Sequence, residues 1–366
     1  MTIIAARAAV VDGQIVGPTE VVVDQGIIVE VRSTADRPGL LDGVLTPGFV
    51  DLQVNGIDDV DVAGADGDDW SRLDELLLAQ GTTTWLPTLI TAPLDWYAAP
   101  LARIAAAMVR PADGRPTIAG VHLEGPFLGG APGAHPAALI APIDMDWLAA
   151  LPDLVRLVTL GPEQPLAPAA TELLHRRGVV VSLGHSRAND RETVAATDAG
   201  ATMVTHIFNG MGPLHHREPG IAAVALTDPR LTVGLIADGV HVHARMIRLA
   251  FAACRPSRIA LVTDAVAWRA GSAGSVRIAL DDDGAPRLVD GTLAGSALTM
   301  DAAVRFVVSH CGVSLPDAVT AASATPATLI GLDDRGRIFA GQRADLVLLG
   351  AELQVVRTWV AGELTK

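Results

Sequence analysis

The sequence predicts an α/β chain: a (β/α)8 TIM barrel carrying a small β-sandwich formed by its N- and C-terminal segments. Three observations carry that expectation. Eight strand-like apolar runs recur between residues 48 and 266, with helical stretches between them. Strands alternating with helices imply a parallel sheet, and eight such units close a barrel. The two ends of the chain are different, being short, β-branched and glycine-punctuated. Finally, polar side chains stand at the ends of the apolar runs, where a parallel barrel gathers its ligand site.

Taken in order, the first segment reads IIAARAAVV, QIVGPTEVVV and GIIVEV, with Gly13, Gly17, Gly26 and Gly43 as turns. GRIFAGQRADLVLLG and LQVVRTWVAGEL repeat this pattern at the far end. The ends are therefore expected to pair, with 1–45 and 336–366 as the sandwich domain and 46–335 as an inserted catalytic barrel. The barrel runs are 48–54, 83–89, 117–125, 156–161, 179–185, 203–209, 232–240 and 259–266. Helical patterning is readable at Trp70–Gln80, Leu94–Met108, Ala169–Arg177, Asp190–Ala199 and Ala244–Ala253. GTLAGSALTMDAAVRFVVSH and SLPDAVTAASATPATLIG read as two closing helices.

Composition narrows the class. The 366 residues, 50% of them hydrophobic, can bury a large core. A formal charge of −14 argues against a nucleic-acid or anionic-membrane partner. No apolar run reaches a membrane-spanning length of about 18 residues, and the N-terminal stretch lacks the basic and apolar regions of a signal peptide. Cys254 and Cys311 are the only cysteines, so no disulfide framework is expected. An acidic cytoplasmic enzyme fits these features. The only lysine is Lys366, which leaves no residue inside the fold for a Schiff base or a carboxylated-lysine metal bridge.

The strand ends carry the chemistry: Gln53, Asn55, Glu124, His185, His206, Asp238, His241 and Asp264. A histidine closing one buried strand is most often a hydrogen-bonded structural residue. Two on successive strands, His185 and His206, together with Glu124, form a two-histidine, one-carboxylate metal set. Three protein ligands leave a fourth position for water, the pattern of a catalytic site. Zinc is expected from this donor set, and iron or another divalent ion fits the same residues. A bound metal polarises a carbonyl and acidifies its water. Asp264 is then the general base, taking the water's proton and returning it to a leaving nitrogen.

PGFVDLQVNG, VHLEGPF, SLGHS, THIFNGM, REPG, DGVH, VTDA and GTLAGSALTMD follow one another in that order. Together they resemble the N-acetylglucosamine-6-phosphate deacetylases of the amidohydrolase superfamily, from about Leu45 to Leu332. The resemblance implies hydrolysis of N-acetyl-D-glucosamine 6-phosphate to D-glucosamine 6-phosphate and acetate. It carries the metal ligands onto Glu124, His185 and His206 and the catalytic aspartate onto Asp264. It makes His135 of GAH a histidine that polarises the acetyl carbonyl. Asn209 and Gly210 fall where the backbone meets substrate. Arg217 and His241 fall at the sugar phosphate, with one subunit of a homodimer contributing to its neighbour's site. Many superfamily members have His-x-His on the first strand and bind a second metal. Gln53 and Asn55 stand there instead, and amides are poor ligands for a buried transition metal. One metal per subunit is therefore expected, with Gln53 and Asn55 bonding a water in the vacant second position.

Three features depart from the family pattern and surround the sugar rather than the metal. Gly210 stands where alanine is usual, the 127–134 loop is short, and Trp268 follows VTDA where small residues are usual. The galacto epimer and other N-acyl amines stay open as substrates, as does a non-catalytic scaffold on the same barrel. The glycines of FLGGAPGA (127–134) suggest a mobile lid. Glu163 of GPE is a candidate supporting residue, His215 and His216 are expected as solvated loop residues, and His122 is expected to point into the helix layer.

Overall fold

A computed structural model describes residues 1–35, 38–111 and 114–365; Lys366 lies outside the described residues. Among the described residues the barrel strands are Phe49–Val54, Thr82–Ile90, Val121–Glu124, Val155–Leu160, Val180–Leu183, Met203–Val204, Thr232–Leu235 and Ile259–Leu261. Each pairs in parallel with the next, in chain order. A right-handed run of such units forms the eight-stranded barrel expected from the alternating pattern.

The first and eighth strands meet without a full ladder. They are joined by a parallel bridge between Val54 and Ala265 and by the Asn55 N–H donating to the Ala265 carbonyl at 2.8 Å. Nearer the base of this seam the buried Asp51 carboxylate accepts the Thr263 hydroxyl at 2.6 Å. Burial pushes Asp51 up to about 7, against the lowering effect of its bonds from Thr263 and Gln53.

Alternate residues of a strand face opposite sides of a sheet. One set fills the barrel's base: Val50, Leu52, Leu86, Leu157, Met203, Ala260 and Val262 pack together, and Ala327 and Ile330 join them. Strands that are not neighbours meet in this cluster, so these side chains point inward. The next inward layer is polar and includes His122, whose Nε2 lies 2.8 Å from Thr159 Oγ1 and whose Nδ1 lies 3.2 Å from the Leu52 carbonyl. The expectation that His122 faces the helix layer is therefore wrong. It shares the parity of Glu124, two residues on, and burial holds its imidazole down at about 4. Leu157 is fully buried in the base layer. Leu157→Ala should cost ~2–5 kcal/mol in urea unfolding while metal content per folded chain stays unchanged.

The expected helices appear as Asp69–Ala79, Ala98–Met108 after a 3-10 turn at Leu94–Tyr97, Ala167–Arg176, Asp190–Asp198 and Ala244–Ala253. Helices at Met145–Ala149 and Gly220–Thr227 add to them. The first closing helix is Met300–Cys311; the second splits into Leu315–Ala322 and Ala324–Leu329 at Ser323, whose backbone leaves the helical region. Two short hairpins, Ser272–Ala273 with Val276–Arg277 and Ala279–Leu280 with Pro286–Arg287, stand between the eighth strand and that helix.

The chain ends form a separate sheet, eight-stranded among the described residues, that is continuous rather than two packed sheets. Leu346–Leu349 pairs with Leu41–Pro47, which joins the C-terminal strands to the N-terminal ones. The sheet curls until its edge strand Ile27–Ser33 meets the segment that leads into Leu346–Leu349: Ile28 N–H donates to Gln342 O and Ala344 N–H to Gly26 O, both at 2.8 Å. Curling encloses Ile4, Val21, Ile28, Leu45, Leu346 and Trp359 in one apolar cluster. No helix among the described residues is long and apolar enough to cross a membrane.

Candidate metal centre

Glu124 ends the third barrel strand, and His185, His206 and Asp264 follow the fifth, sixth and eighth by two or three residues. Two of these four residues turn the chain sharply. His185 and Asp264 have φ of +48° and +49°, a region non-glycine residues enter at a cost and where functional side chains concentrate. The result is a close triangle of donor atoms. Glu124 Oε1 lies 3.1 Å from His185 Nε2 and 3.0 Å from His206 Nε2, and the two imidazole nitrogens are 3.0 Å apart. A cation about 2.0–2.1 Å from each atom sits naturally over such a triangle.

The electrostatics agree with the geometry. Burial works to raise Glu124, but its close contacts with the His135, His185 and His206 rings outweigh it and hold the carboxylate well below its usual value. Burial depresses His185 to about 4, which favours the neutral imidazole that a metal binds. His206 is also buried, yet the bond and charge of Glu124 and the charge of Asp264 raise it. An ionised Glu124 beside a neutral His185 is the protonation state that metal ligands require. The residues fit a divalent ion.

His135 comes from the 127–134 side of the pocket. Its Nδ1 lies 2.9 Å from Thr91 Oγ1, its Nε2 3.6 Å from Glu124 Oε2, and its ring centroid 4.2 Å from that of His185. Glu124, His135 and His185 by themselves form a buried group with one ligand atom each, all within 4.8 Å. Thr91, which orients His135, carries no sequence signal that would have marked it.

Gln53 and Asn55 reach the centre, and their amide nitrogens face carboxylates. Gln53 Nε2 donates to Glu124 Oε1 at 2.9 Å and to Asp264 Oδ1 at 3.1 Å, while Asn55 Nδ2 donates to Asp264 Oδ1 at 2.8 Å. Thr205 Oγ1 donates to Gln53 Oε1 at 3.0 Å. Both amides thus load one Asp264 oxygen, Oδ1, and leave Oδ2 to the cleft. Burial and the nearby Glu124 charge push the Asp264 carboxyl up to about 7.

The cleft above, about 810 Å³ with its open mouth, is lined by these residues together with Asn209, Gly210 and His241. Asn209 Nδ2 donates to the His206 and Ile207 carbonyls at 3.3 Å each. Gly210 has φ of +57°, and a Cβ there would come 2.8 Å from His185 Nδ1, so the histidine ring lies closer to this turn than alanine would allow. His241 is oriented by Asp238, whose Oδ2 lies 2.6 Å from its Nδ1. Burial pushes Asp238 up, but its bonds from His241 win and hold it below the usual carboxylate value. The first hairpin and the segment after the second contribute an apolar wall, Ala273 and Val276 with Leu293 and Ala294, that the periodicity did not reveal.

Two expected residues are not brought to this cleft. Arg217 lies on an exposed loop, its Nη1 2.8 Å from His216 Nε2, and is not among the cleft's lining residues. Trp268, expected near the sugar, lines a different pocket and carries the Arg269 guanidinium over its ring at 4.9 Å. Hydrogen bonds fasten the 127–134 loop over the centre: Gly129 N–H donates to the His185 carbonyl at 2.9 Å, and Ala131 O lies 3.3 Å from His185 Nδ1.

Comparison with known proteins agrees with this architecture. The amidohydrolase family model matches residues 44–365. An N-acetylgalactosamine-6-phosphate deacetylase of Escherichia coli O157:H7 is 39% identical over 88% of this chain and 87% of its own. An N-acetylglucosamine-6-phosphate deacetylase of Bos taurus is 38% identical over 92% of this chain and 87% of its own. Among solved structures, a variant N-acetyl-D-glucosamine-6-phosphate deacetylase of Mycobacterium smegmatis, in complex with N-acetyl-D-glucosamine-6-phosphate, superposes with a TM-score of 0.91. It is 34% identical, covering 100% of this chain and 99% of that one. The Thermotoga maritima N-acetylglucosamine-6-phosphate deacetylase gives a TM-score of 0.92 at 33% identity, covering 100% and 99%. With the barrel, the donor triangle and these relatives in agreement, the chain belongs to the amidohydrolase family.

Proposed function

We propose that this chain is a metal-dependent deacetylase that hydrolyses N-acetyl-D-glucosamine 6-phosphate to D-glucosamine 6-phosphate and acetate. The observation that carries the reading is the convergence of Glu124, His185 and His206 on one point beside Asp264. Glu124, His185 and His206 would hold one divalent ion per subunit, Zn2+ by the nature of its ligands. Such an ion supplies a Lewis acid that polarises an acyl carbonyl and acidifies a water.

The chain's own groups do the rest. His135, held through Nδ1 by Thr91, presents Nε2 to the acyl oxygen and strengthens its polarisation. Asp264 Oδ2 takes a proton from the attacking water and passes it to the amide nitrogen as the C–N bond breaks, releasing acetate and the amine. The Gln53 and Asn55 amides keep Oδ1 out of that exchange. Asn209 and Gly210 border the sugar, and His241, steadied by Asp238, faces its phosphate end. Arg217 completes phosphate binding in a homodimer in which one subunit contributes to its neighbour's site, which accounts for its position outside its own cleft. An acidic chain whose cysteines are both free and buried suits the cytoplasm.

The galacto epimer is the second reading, favoured by the identity to the E. coli N-acetylgalactosamine-6-phosphate deacetylase. Acetate release separates the two readings. Purified, metal-quantified protein is given N-acetylglucosamine 6-phosphate, its galacto epimer and unphosphorylated N-acetylglucosamine in parallel. The expected result is about one metal per chain and clear preference for the first substrate. Arg217→Ala should raise KM for the phosphorylated sugar about 10-fold or more, as loss of a charge-assisted phosphate bond does, and leave the unphosphorylated sugar unaffected. Equal turnover of phosphorylated and free sugars would remove the phosphate assignment.

A further inference from the structure

Glu163 stands in the turn after the fourth barrel strand and hydrogen-bonds none of the metal-centre side chains, yet its carboxylate gathers donors from two segments that border them. Oε1 accepts the Gly130 N–H at 2.7 Å and the Arg187 N–H at 2.9 Å, and Oε2 accepts the Ser186 hydroxyl at 2.6 Å. Gly130 belongs to the loop that leads to His135. Ser186 and Arg187 directly follow His185, the residue held at φ +48°. Arg187 Nε returns a bond to the Gly130 carbonyl at 2.9 Å, so the two segments are tied in both directions. The backbone of Gly129 lies flat against the carboxylate: a Cβ there would fall 2.0 Å from Glu163 Oε1, so glycine alone permits the approach.

We propose that Glu163 is a positioning residue that fastens the 127–134 segment to the turn after His185, making this segment a fixed wall of the metal centre rather than a lid. The physical logic has two parts. A left-handed turn at a non-glycine residue persists only where its surroundings over-determine it: just beyond that residue the Ser186 N–H goes to the Gly210 carbonyl, and Glu163 takes the Ser186 hydroxyl and the Arg187 N–H. Bonds to an ionised carboxylate are also among the stronger ones available for the task. Through the fastened loop, Ala131 O is kept against His185 Nδ1, which selects Nε2 as the free nitrogen, and His135 is kept against the His185 ring. Partners of this kind behind a metal ligand set both its orientation and the affinity of the site. The inference rests on the proposed function only in taking His185 as a metal ligand and His135 as a substrate-facing group. It does not depend on which sugar is bound.

The test compares zinc-loaded wild type with Glu163→Ala, Glu163→Gln and Ser186→Ala. Two readouts need no substrate: amide hydrogen exchange over residues 127–134 and 185–187, and the rate at which a chelator removes zinc. Glu163→Ala should raise exchange in those two segments alone and speed zinc loss by about 10–100-fold, the range for groups that support metal ligands. Glu163→Gln should restore most of both, since its Oε1 can still accept both N–H groups and its amide can donate to Ser186 Oγ. Ser186→Ala, which removes one bond, should give a smaller change in the same segments and serves if Glu163→Ala does not fold. With an active substrate, Glu163→Ala should lower kcat more than it raises KM. Unchanged exchange and zinc loss in Glu163→Ala would overturn the proposal, and so would a rise in exchange spread evenly over the barrel. Absence of acetate release from every sugar would count against the proposed reaction while leaving both of these readouts in force.

Discussion

Asp264→Asn should leave a folded protein with its full metal content and lower kcat by about 10³-fold, within the range lost with a positioned acid–base group. The geometry makes this substitution unusually clean. Asn55 Nδ2 and Gln53 Nε2 both donate to Oδ1 of Asp264. An asparagine satisfies those donors by turning its own oxygen to them, which places its NH2 where Oδ2 now faces the cleft. That group cannot accept a proton from water. Burial and the Glu124 charge raise the native carboxyl to about 7, well matched to taking up and returning a proton near neutrality. Single-turnover acetate release alongside metal analysis checks the prediction. A variant that kept more than about a tenth of wild-type kcat would be inconsistent with the contribution of such a group and would remove Asp264 from proton transfer.

Glu124→Gln should have the larger effect on the metal itself. Oε1 of Glu124 is the atom on which His185, His206 and the Gln53 amide all converge. Replacing the carboxylate with an amide removes the charge that attracts a cation and sets an NH2 group against donors already crowded there. Metal affinity should fall by more than about 100-fold, beyond the loss seen when only an outer-sphere partner is removed. Metal content after dialysis is then the measurement, with far-UV circular dichroism as the control for fold. His185→Ala should lose metal in the same way, since it deletes one corner of the donor triangle. If Glu124→Gln retained stoichiometric metal, the donor set would have to be drawn again, with His135 as the first alternative because it groups with Glu124 and His185.

The barrel was legible in the sequence because each unit carries its own signal. An apolar run, a turn and an amphipathic stretch are local facts, and all eight strand-like runs correspond to barrel strands. Glu124, His185, His206 and Asp264 were legible for a related reason: each sits just beyond a run, and parallel topology sends all such positions to one face. Other features depend on contacts between distant segments. His122 was misread because its face is settled by parity with Glu124, two residues on, which turns the imidazole into the barrel. The sandwich became one curled sheet because closure of Gly26 against Ala344 is a long-range pairing that strand patterns do not encode. Trp268 lies close to the VTDA motif in sequence, but it lines a different pocket, with Asp58, Leu76 and Leu298.

By itself, then, the sequence determined the repeating α/β order, the face on which polar strand-end residues collect and the donor types available there. Those properties follow from backbone periodicity and side-chain chemistry, which each residue carries locally. Only the tertiary structure decided how those donors are used: that both strand-one amides load Oδ1 of Asp264, that Arg217 lies outside the cleft lining, and that Glu163 joins two loops from a third. Hydrogen bonds select partners by distances of a few tenths of an ångström, and such distances exist only once the barrel has brought residues far apart in the chain to one rim.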